Sequence, residues 1–223
     1  MPMMIGVFLS NAPTSGNSRF RFPHLPRSLC RRLHINPWCP TMSPAMIERL
    51  PTNDEYYMGI AFAVRERANC TGNRVGAVVV KGNRVISTGY NGVPEGMTNC
   101  LDGGCLRCSN PGNQFPSGHG YDLCICVHAE QNALLSAARF GISVEGGTLY
   151  TTMQPCFGCL KESLQAHVER IVYLHPWVPT DPDPNMQIRK VEEYAKLAAQ
   201  MRMQHLEIID TRASWAVRSL RGK

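Results

Sequence analysis

The sequence predicts an α/β fold, a three-layer α/β/α sandwich built on a mixed five-stranded sheet, and three observations carry that expectation. Two β-branched runs, 74–81 (RVGAVVVK) and 84–90 (RVISTGY), flank Gly82 and Asn83, the composition of a tight hairpin. Beyond the hairpin, strand patterns alternate with helical ones, which implies a mixed sheet with helices packed on it. At 223 residues with 43% hydrophobic content, the chain can bury a full core.

The first helix opens at Thr52, which stands three residues before Glu55 as a capping box: the hydroxyl can take a backbone N–H while the carboxylate reaches back. Tyr57, Ile60, Ala61 and Val64 then recur at helical spacing. After the hairpin, residues 92–123 form a long loop rich in Gly, Cys and Asn, and a loop of that length inside a domain is functional or tied down. A second helix is expected over 128–140, with Ala133, Leu134, Ala137 and Ala138 buried and Gly141 as its C-terminal cap. A strand at 147–152 leads to Pro155, which opens a third helix, since proline is tolerated at the first position. A strand at 170–174, an amphipathic helix at 191–203 and a last strand at 206–210 complete the set.

Charge divides the chain. No acidic residue precedes Glu48, whereas Arg19, Arg21, Arg27, Arg31 and Arg32 supply five of the six net positive charges and leave the body at +1. A near-neutral body lacks the basic footprint of a polyanion binder, so no nucleic-acid partner is expected. Residues 1–45, with Pro23, Pro26, Pro37, Pro40 and Pro44 and no periodicity, read as a disordered basic extension. A transit peptide and a start at Met42 or Met46 are competing readings of it. The domain proper is expected at 50–212, followed by a C-terminal tail at 213–223. No apolar run of membrane-spanning length exists, so a protein free of membrane is expected. Ten cysteines in a chain too long to need disulfide staples, eight of them between Cys70 and Cys159 and two pairs at C-x-x-C spacing, indicate metal sites and a reducing, cytoplasmic compartment.

Chemistry concentrates in two segments. His128-Ala-Glu130 and Pro155-Cys156-Phe-Gly-Cys159 each stand where a strand gives way to a helix. Helix N-termini favour anions, so Cys156 and Cys159 are held as thiolates there, and their spacing puts both on one face. With His128 they make three zinc ligands, and three protein ligands leave a fourth position open to water, the mark of a catalytic ion. The metal makes that water nucleophilic near neutrality. Glu130, left unligated, is the proton shuttle. This H-x-E and P-C-x-x-C combination is the pattern of zinc deaminases, and it points to hydrolytic loss of ammonia at carbon 4 of a pyrimidine. Either motif alone is weak, because C-x-x-C also builds structural zinc sites and redox pairs.

Residues 52–175 resemble the deoxycytidylate deaminase family of the cytidine deaminase superfamily. The resemblance rests on 54–58 (DEYYM), 74–80 (RVGAVVV), 86–96 (ISTGYNGVPEG), 128–133 (HAEQNA) and 150–156 (YTTMQPC). It implies a cytidine-deaminase-like fold and a deoxycytidine monophosphate substrate, with Asn91 in contact with the nucleotide. It also implies a homohexamer activated by deoxycytidine triphosphate and inhibited by thymidine triphosphate. Several members carry a second, structural zinc that uses the residue two before the motif histidine, here Cys126. Such a site fits the crowd of Cys100, Cys105, Cys108, Cys124 and Cys126 in and after the long loop, which gains most from a metal clip. Four of these five thiols are expected on the ion, with Cys105 and Cys108 the firmest pair and Cys124 and Cys126 alternatives for the last place. Cys70, at the end of the first helix, reads as core packing.

Two other readings fit the same residues. A deaminase of another nucleotide, or of a base in RNA with residues 1–47 as a basic arm, keeps the chemistry and changes the substrate. A zinc-stabilised binding module has no use for Glu130. Lys161, Arg170 and Arg74 are each able to neutralise a phosphate, against a plainer reading as surface charge.

Overall fold

The structure, a computed structural model, describes residues 50–110, 114–115 and 119–213. The expected basic extension and all of the expected tail but Ala213 lie outside the described residues. Helix α1 spans Asn53–Arg65, and its capping box forms as expected: Glu55 N–H donates to Thr52 Oγ1 and Thr52 N–H to Glu55 Oε2. Strands β1 (Gly76–Lys81) and β2 (Arg84–Tyr90) follow, turning through Gly82 and Asn83, both at positive φ as a tight hairpin requires. Helix α2 is one turn, Leu106–Ser109, inside the long loop. Then come α3 (Ala129–Arg139), β3 (Thr148–Met153), α4 (Phe157–Gln165), β4 (Arg170–His175), α5 (Pro184–Ala198) and β5 (Arg202–His205).

The strands form one sheet in the order β2-β1-β3-β4-β5, antiparallel across β2, β1 and β3 and parallel across β3, β4 and β5. The mixed five-stranded sheet is therefore present. Successive side chains of a strand point to opposite faces, and β1 sorts accordingly. Val78 and Val80 join Tyr57, Met58 and Ala61 of α1 on one face, with Tyr150 and Val172. Ala77 and Val79 face the other way, onto Ala129 and Ala133 of α3, Leu160 of α4 and Tyr194 of α5. Helices on both faces give the three layers.

The chain departs from expectation at three places. Pro155 lies ahead of α4 and does not open it, because Cys156 takes the N-cap position and the helix starts at Phe157. Helix α5 begins at Pro184, seven residues before the predicted start, with the Asp183 carboxylate accepting from Asn185 N–H and proline in the first turn. The last strand is Arg202–His205, and 206–210 is no strand: Leu206 and Ile208 pack onto the α1 face while the polar Arg202–His205 pairs with β4 at the sheet edge. The loop 92–123 also holds short helical turns at Cys100–Asp102 and Tyr121–Leu123 besides α2. No described helix is long and apolar enough to cross a membrane.

Candidate active site

Two helix N-termini meet at one cavity: that of α4 follows β3 as expected, whereas among the described residues no strand leads directly into α3, because the segment before His128 makes only an isolated β-bridge. His128 is the N-cap of α3, its backbone N–H donating to Gln131 Oε1 at 3.0 Å. The segment before it is pinned by a β-bridge between Val127 and Gly92, with hydrogen bonds of 2.8 and 3.2 Å. Cys156 is the N-cap of α4, and Cys159 lies one turn further in. Tyr194 of α5 fixes this second N-terminus by donating from its hydroxyl to the Pro155 carbonyl at 2.6 Å, and the Gln154 amide donates to the same hydroxyl at 3.2 Å.

These N-termini bring His128 Nδ1 to 3.4 Å from both Cys156 Sγ and Cys159 Sγ, and the two sulfurs to 3.7 Å from each other. Tetrahedral zinc with Zn–S of about 2.3 Å and Zn–N of about 2.0 Å separates two sulfurs by about 3.8 Å and sulfur from nitrogen by about 3.5 Å. The three donor atoms thus already stand at the spacing the ion needs. The hydrogen bond to Cys156 lifts the His128 imidazole to about 9 against its burial. The Cys159 thiol and then His128 bring Cys156 down to about 4, while burial pulls the other way.

Glu130 sits in the first turn of α3, 4% exposed, and stands outside the three-atom ligand set. Thr151 Oγ1 donates to its Oε1 at 3.3 Å, and Cys159 Sγ lies 3.5 Å from its Oε2. Burial pushes its carboxyl above the ordinary value, against the pull of His128. Its position results from close helix–strand packing. A Cβ on Gly89 of β2 would fall 2.1 Å from the Ala129 carbonyl oxygen, so only glycine lets β2 and α3 approach this closely.

His128, Glu130 and Cys156 line a cavity of about 440 Å³, within the range of small-molecule sites. Asn91 lines it too, but much of its amide is committed: Oδ1 accepts from Val75 N–H at 2.8 Å and Nδ2 donates to the Asn73 carbonyl at 2.7 Å. One N–H of Nδ2 is left for a ligand. None of the three cations named as able to neutralise a phosphate, against the reading as surface charge, lines the cavity. Arg170 forms an ion pair with Asp54 at 2.5 Å, Arg74 is buried elsewhere, and Lys161 is exposed on α4. Among the described residues, the arginine or lysine that lines it is Arg107, 3% exposed, whose Nε donates to the His119 carbonyl at 3.2 Å and whose guanidinium lies 4.1 Å from the centroid of the Tyr121 ring. Arg107 sits inside a C-x-x-C pair, and the metal reading of that pair hid it. Trp177, which had no role in the sequence, also lines the cavity.

The thiols of the long loop converge as well. Cys100, Cys105, Cys108, Cys124 and Cys126 are together, and both Cys124 and Cys126 belong to the cluster. Cys70 corrects its expectation as a plain core residue: it is buried, but among these sulfurs.

Residues 51–175, more than half of the chain, match the family described as the cytidine and deoxycytidylate deaminase zinc-binding region. The deoxycytidylate deaminase of Schizosaccharomyces pombe is 44% identical over 123 residues, which are 55% of this chain and 37% of that protein. That of Saccharomyces cerevisiae is 40% identical over 132 residues, 59% of this chain and 39% of that protein. That of Mycobacterium phage D29 is 44% identical over 126 residues, 55% of this chain and 94% of that protein. The chain spans about two-fifths of the length of the two yeast relatives and nearly all of the phage protein. With the fold, the donor set and this match in hand, the chain belongs to the cytidine and deoxycytidylate deaminase zinc-binding family.

Proposed function

We propose that the chain is a zinc-dependent hydrolytic deaminase that converts deoxycytidine monophosphate and water into deoxyuridine monophosphate and ammonia. One observation carries the proposal: a three-atom ligand set, His128, Cys156 and Cys159, shares a cavity with a buried carboxylate, Glu130, that is not one of the ligands. A closed structural site has no use for such a carboxylate. When bound, zinc supplies the Lewis acidity that makes a water molecule nucleophilic near neutral pH.

The remaining work belongs to the chain. Glu130 accepts the proton of that water and delivers it to N3 of the cytosine ring as oxygen adds to carbon 4. It then hands the second proton to the exocyclic nitrogen, which leaves as ammonia. Burial suits Glu130 to this task, because a carboxyl pushed above its ordinary value holds a proton between the two transfers. Asn91 offers its remaining N–H to the nucleotide. Arg107 takes the phosphate, since among the described residues it is the arginine or lysine that lines the cavity and no acid pairs with it. All three relatives named above are deoxycytidylate deaminases, which supports the deoxy monophosphate as substrate.

The homohexamer and its nucleoside triphosphate effectors belong to the same proposal. Leu135 and Ile142, both exposed, line an apolar hollow with Ala138 and Val144 at the end of α3, a surface suited to a second copy of the chain.

Glu130→Gln tests the catalytic role, because it keeps the shape of the side chain and removes its proton chemistry. The variant is expected to retain zinc at the triad and to lose turnover of deoxycytidine monophosphate by about 10²- to 10⁴-fold. Unchanged turnover in a zinc-loaded variant would contradict the proposal and leave a structural metal site.

A further inference from the structure

Six cysteines outside the triad gather from three parts of the chain: Cys70 after α1, Cys100, Cys105 and Cys108 in the long loop, and Cys124 and Cys126 on the approach to His128. None of the six is in a disulfide. The sulfurs of Cys70 and Cys108 lie 3.6 Å apart, those of Cys108 and Cys124 3.6 Å, those of Cys105 and Cys124 3.9 Å and those of Cys108 and Cys126 3.9 Å. Four thiolates on a tetrahedral zinc, with Zn–S of about 2.3 Å, stand about 3.8 Å apart. The spacing is that of metal ligands, well beyond a sulfur–sulfur bond of about 2.0 Å.

The six sulfurs do not form one tetrahedron with two bystanders. They fall into two sets of four, Cys70, Cys100, Cys108 and Cys126 in one and Cys105, Cys108, Cys124 and Cys126 in the other, each with all sulfurs within 4.8 Å of one another. The sets share two members, Cys108 and Cys126. Two tetrahedra that share an edge need six donors, of which two are common to both. That is the composition found.

We propose that these cysteines hold a binuclear zinc–thiolate cluster. Cys70 and Cys100 bind one ion terminally, Cys105 and Cys124 bind the other, and the sulfurs of Cys108 and Cys126 bridge the two. The chain then carries three zinc ions, one at the triad and two here. Assembly releases six thiol protons and leaves the cluster at a net charge of −2, with no change of oxidation state. Arg107, buried next to Cys108 in sequence, supplies a nearby positive charge. Cys100 and Cys105 are fully buried and each ion has four sulfurs, so both sites are closed and structural. The proposal replaces a single ion on four of five thiols, and it gives Cys70 a ligand's role. Cys70, Cys108, Cys124 and Cys126 also line the cavity, so the cluster forms one of its walls and ties the long loop to the segment that presents His128.

Native mass spectrometry of the full chain, purified without chelators, counts the ions. The same count on the Cys156→Ser/Cys159→Ser variant, which lacks two of the three triad ligands, separates the cluster from the active site. Three ions in the parent and two in the variant are expected; one ion in the variant overturns the cluster, whatever becomes of the triad. The parent substituted with ¹¹³Cd gives a second readout that needs no variant. Two tetrathiolate resonances split by coupling to each other through the shared sulfurs are expected, and uncoupled resonances, or only one such resonance, overturn the proposal.

Discussion

Arg107 shows how a single side chain gains a function from what surrounds it. It is long, charged and nearly fully buried, a combination that is costly unless the charge meets a partner, yet its Nε spends one hydrogen bond on a backbone carbonyl and its face stacks on Tyr121. Under the proposed function, the phosphate of the nucleotide is the anion that this guanidinium meets from the cavity side. Arg107→Ala is therefore expected to lower kcat/KM for deoxycytidine monophosphate by about 10- to 100-fold, the size of a charge-assisted hydrogen bond, and to leave turnover of unphosphorylated deoxycytidine nearly unchanged. An equal loss on both substrates would place Arg107 in the architecture of the loop instead. The convergence of His128, Cys156 and Cys159 beside Glu130 was legible in the sequence, because the H-x-E and P-C-x-x-C spacings each stand at a helix N-terminus. Arg107 was not, since nothing in one dimension shows that an arginine inside C-x-x-C turns into a cavity. Asn91 was legible as a position, although its amide chiefly braces residues 73–75.

Element by element, the segments rich in local signals read well. The capping box of α1, the Gly82 and Asn83 turn and the left-handed Gly141 that follows α3 each depend on a few adjacent residues, and each is where the sequence placed it. Besides Pro155, which lies just ahead of α4, the departures are at the start of α5 and in the last strand. The helix expected from 191 starts at Pro184, where Asp183 is the cap and Pro184 the first helical residue. Leu206 and Ile208 carry the apolar content of a strand but spend it on α1, and the polar Arg202–His205 takes the edge because β4 offers it a free ladder. Gly89 belongs to the same scale. Its α-hydrogen faces the α3 backbone, with the Ala133 nitrogen 2.4 Å from where a Cβ would sit. Gly89→Ala is expected to push β2 and α3 apart, cost at least about 1–3 kcal/mol in urea unfolding, and weaken zinc at the triad through displacement of His128. A variant as stable as the parent would show that the packing has room the structure does not display.

Across the whole molecule, one buried network joins the start of the domain to its end. Arg65, at the last turn of α1 and 1% exposed, donates to both oxygens of Asp210 at 2.7 and 3.0 Å, and His175 Nε2 lies 2.7 Å from Asp210 Oδ2. Burial raises the Asp210 carboxyl, but Arg65 and His175 outweigh it and hold the group well below the usual carboxylate range. A carboxylate whose pKa is lower folded than unfolded contributes stability that is complete above about pH 4 and is lost as pH falls toward the folded value. Asp210→Asn is expected to cost about 3–5 kcal/mol at neutral pH, because it strands a buried guanidinium. The gap between variant and parent should narrow below about pH 4, where the carboxylate of the unfolded parent takes up a proton while the folded one stays ionised. A gap independent of pH would show that the pair contributes little beyond shape.

Ammonia release measures directly the deamination of deoxycytidine monophosphate proposed for the zinc site. Zinc-loaded protein is offered deoxycytidine monophosphate, deoxycytidine triphosphate, deoxycytidine and cytidine monophosphate side by side. Rapid release from deoxycytidine monophosphate, clearly above the other three, is the predicted result. No release from any of the four, by a chain that holds zinc at His128, Cys156 and Cys159, would contradict it.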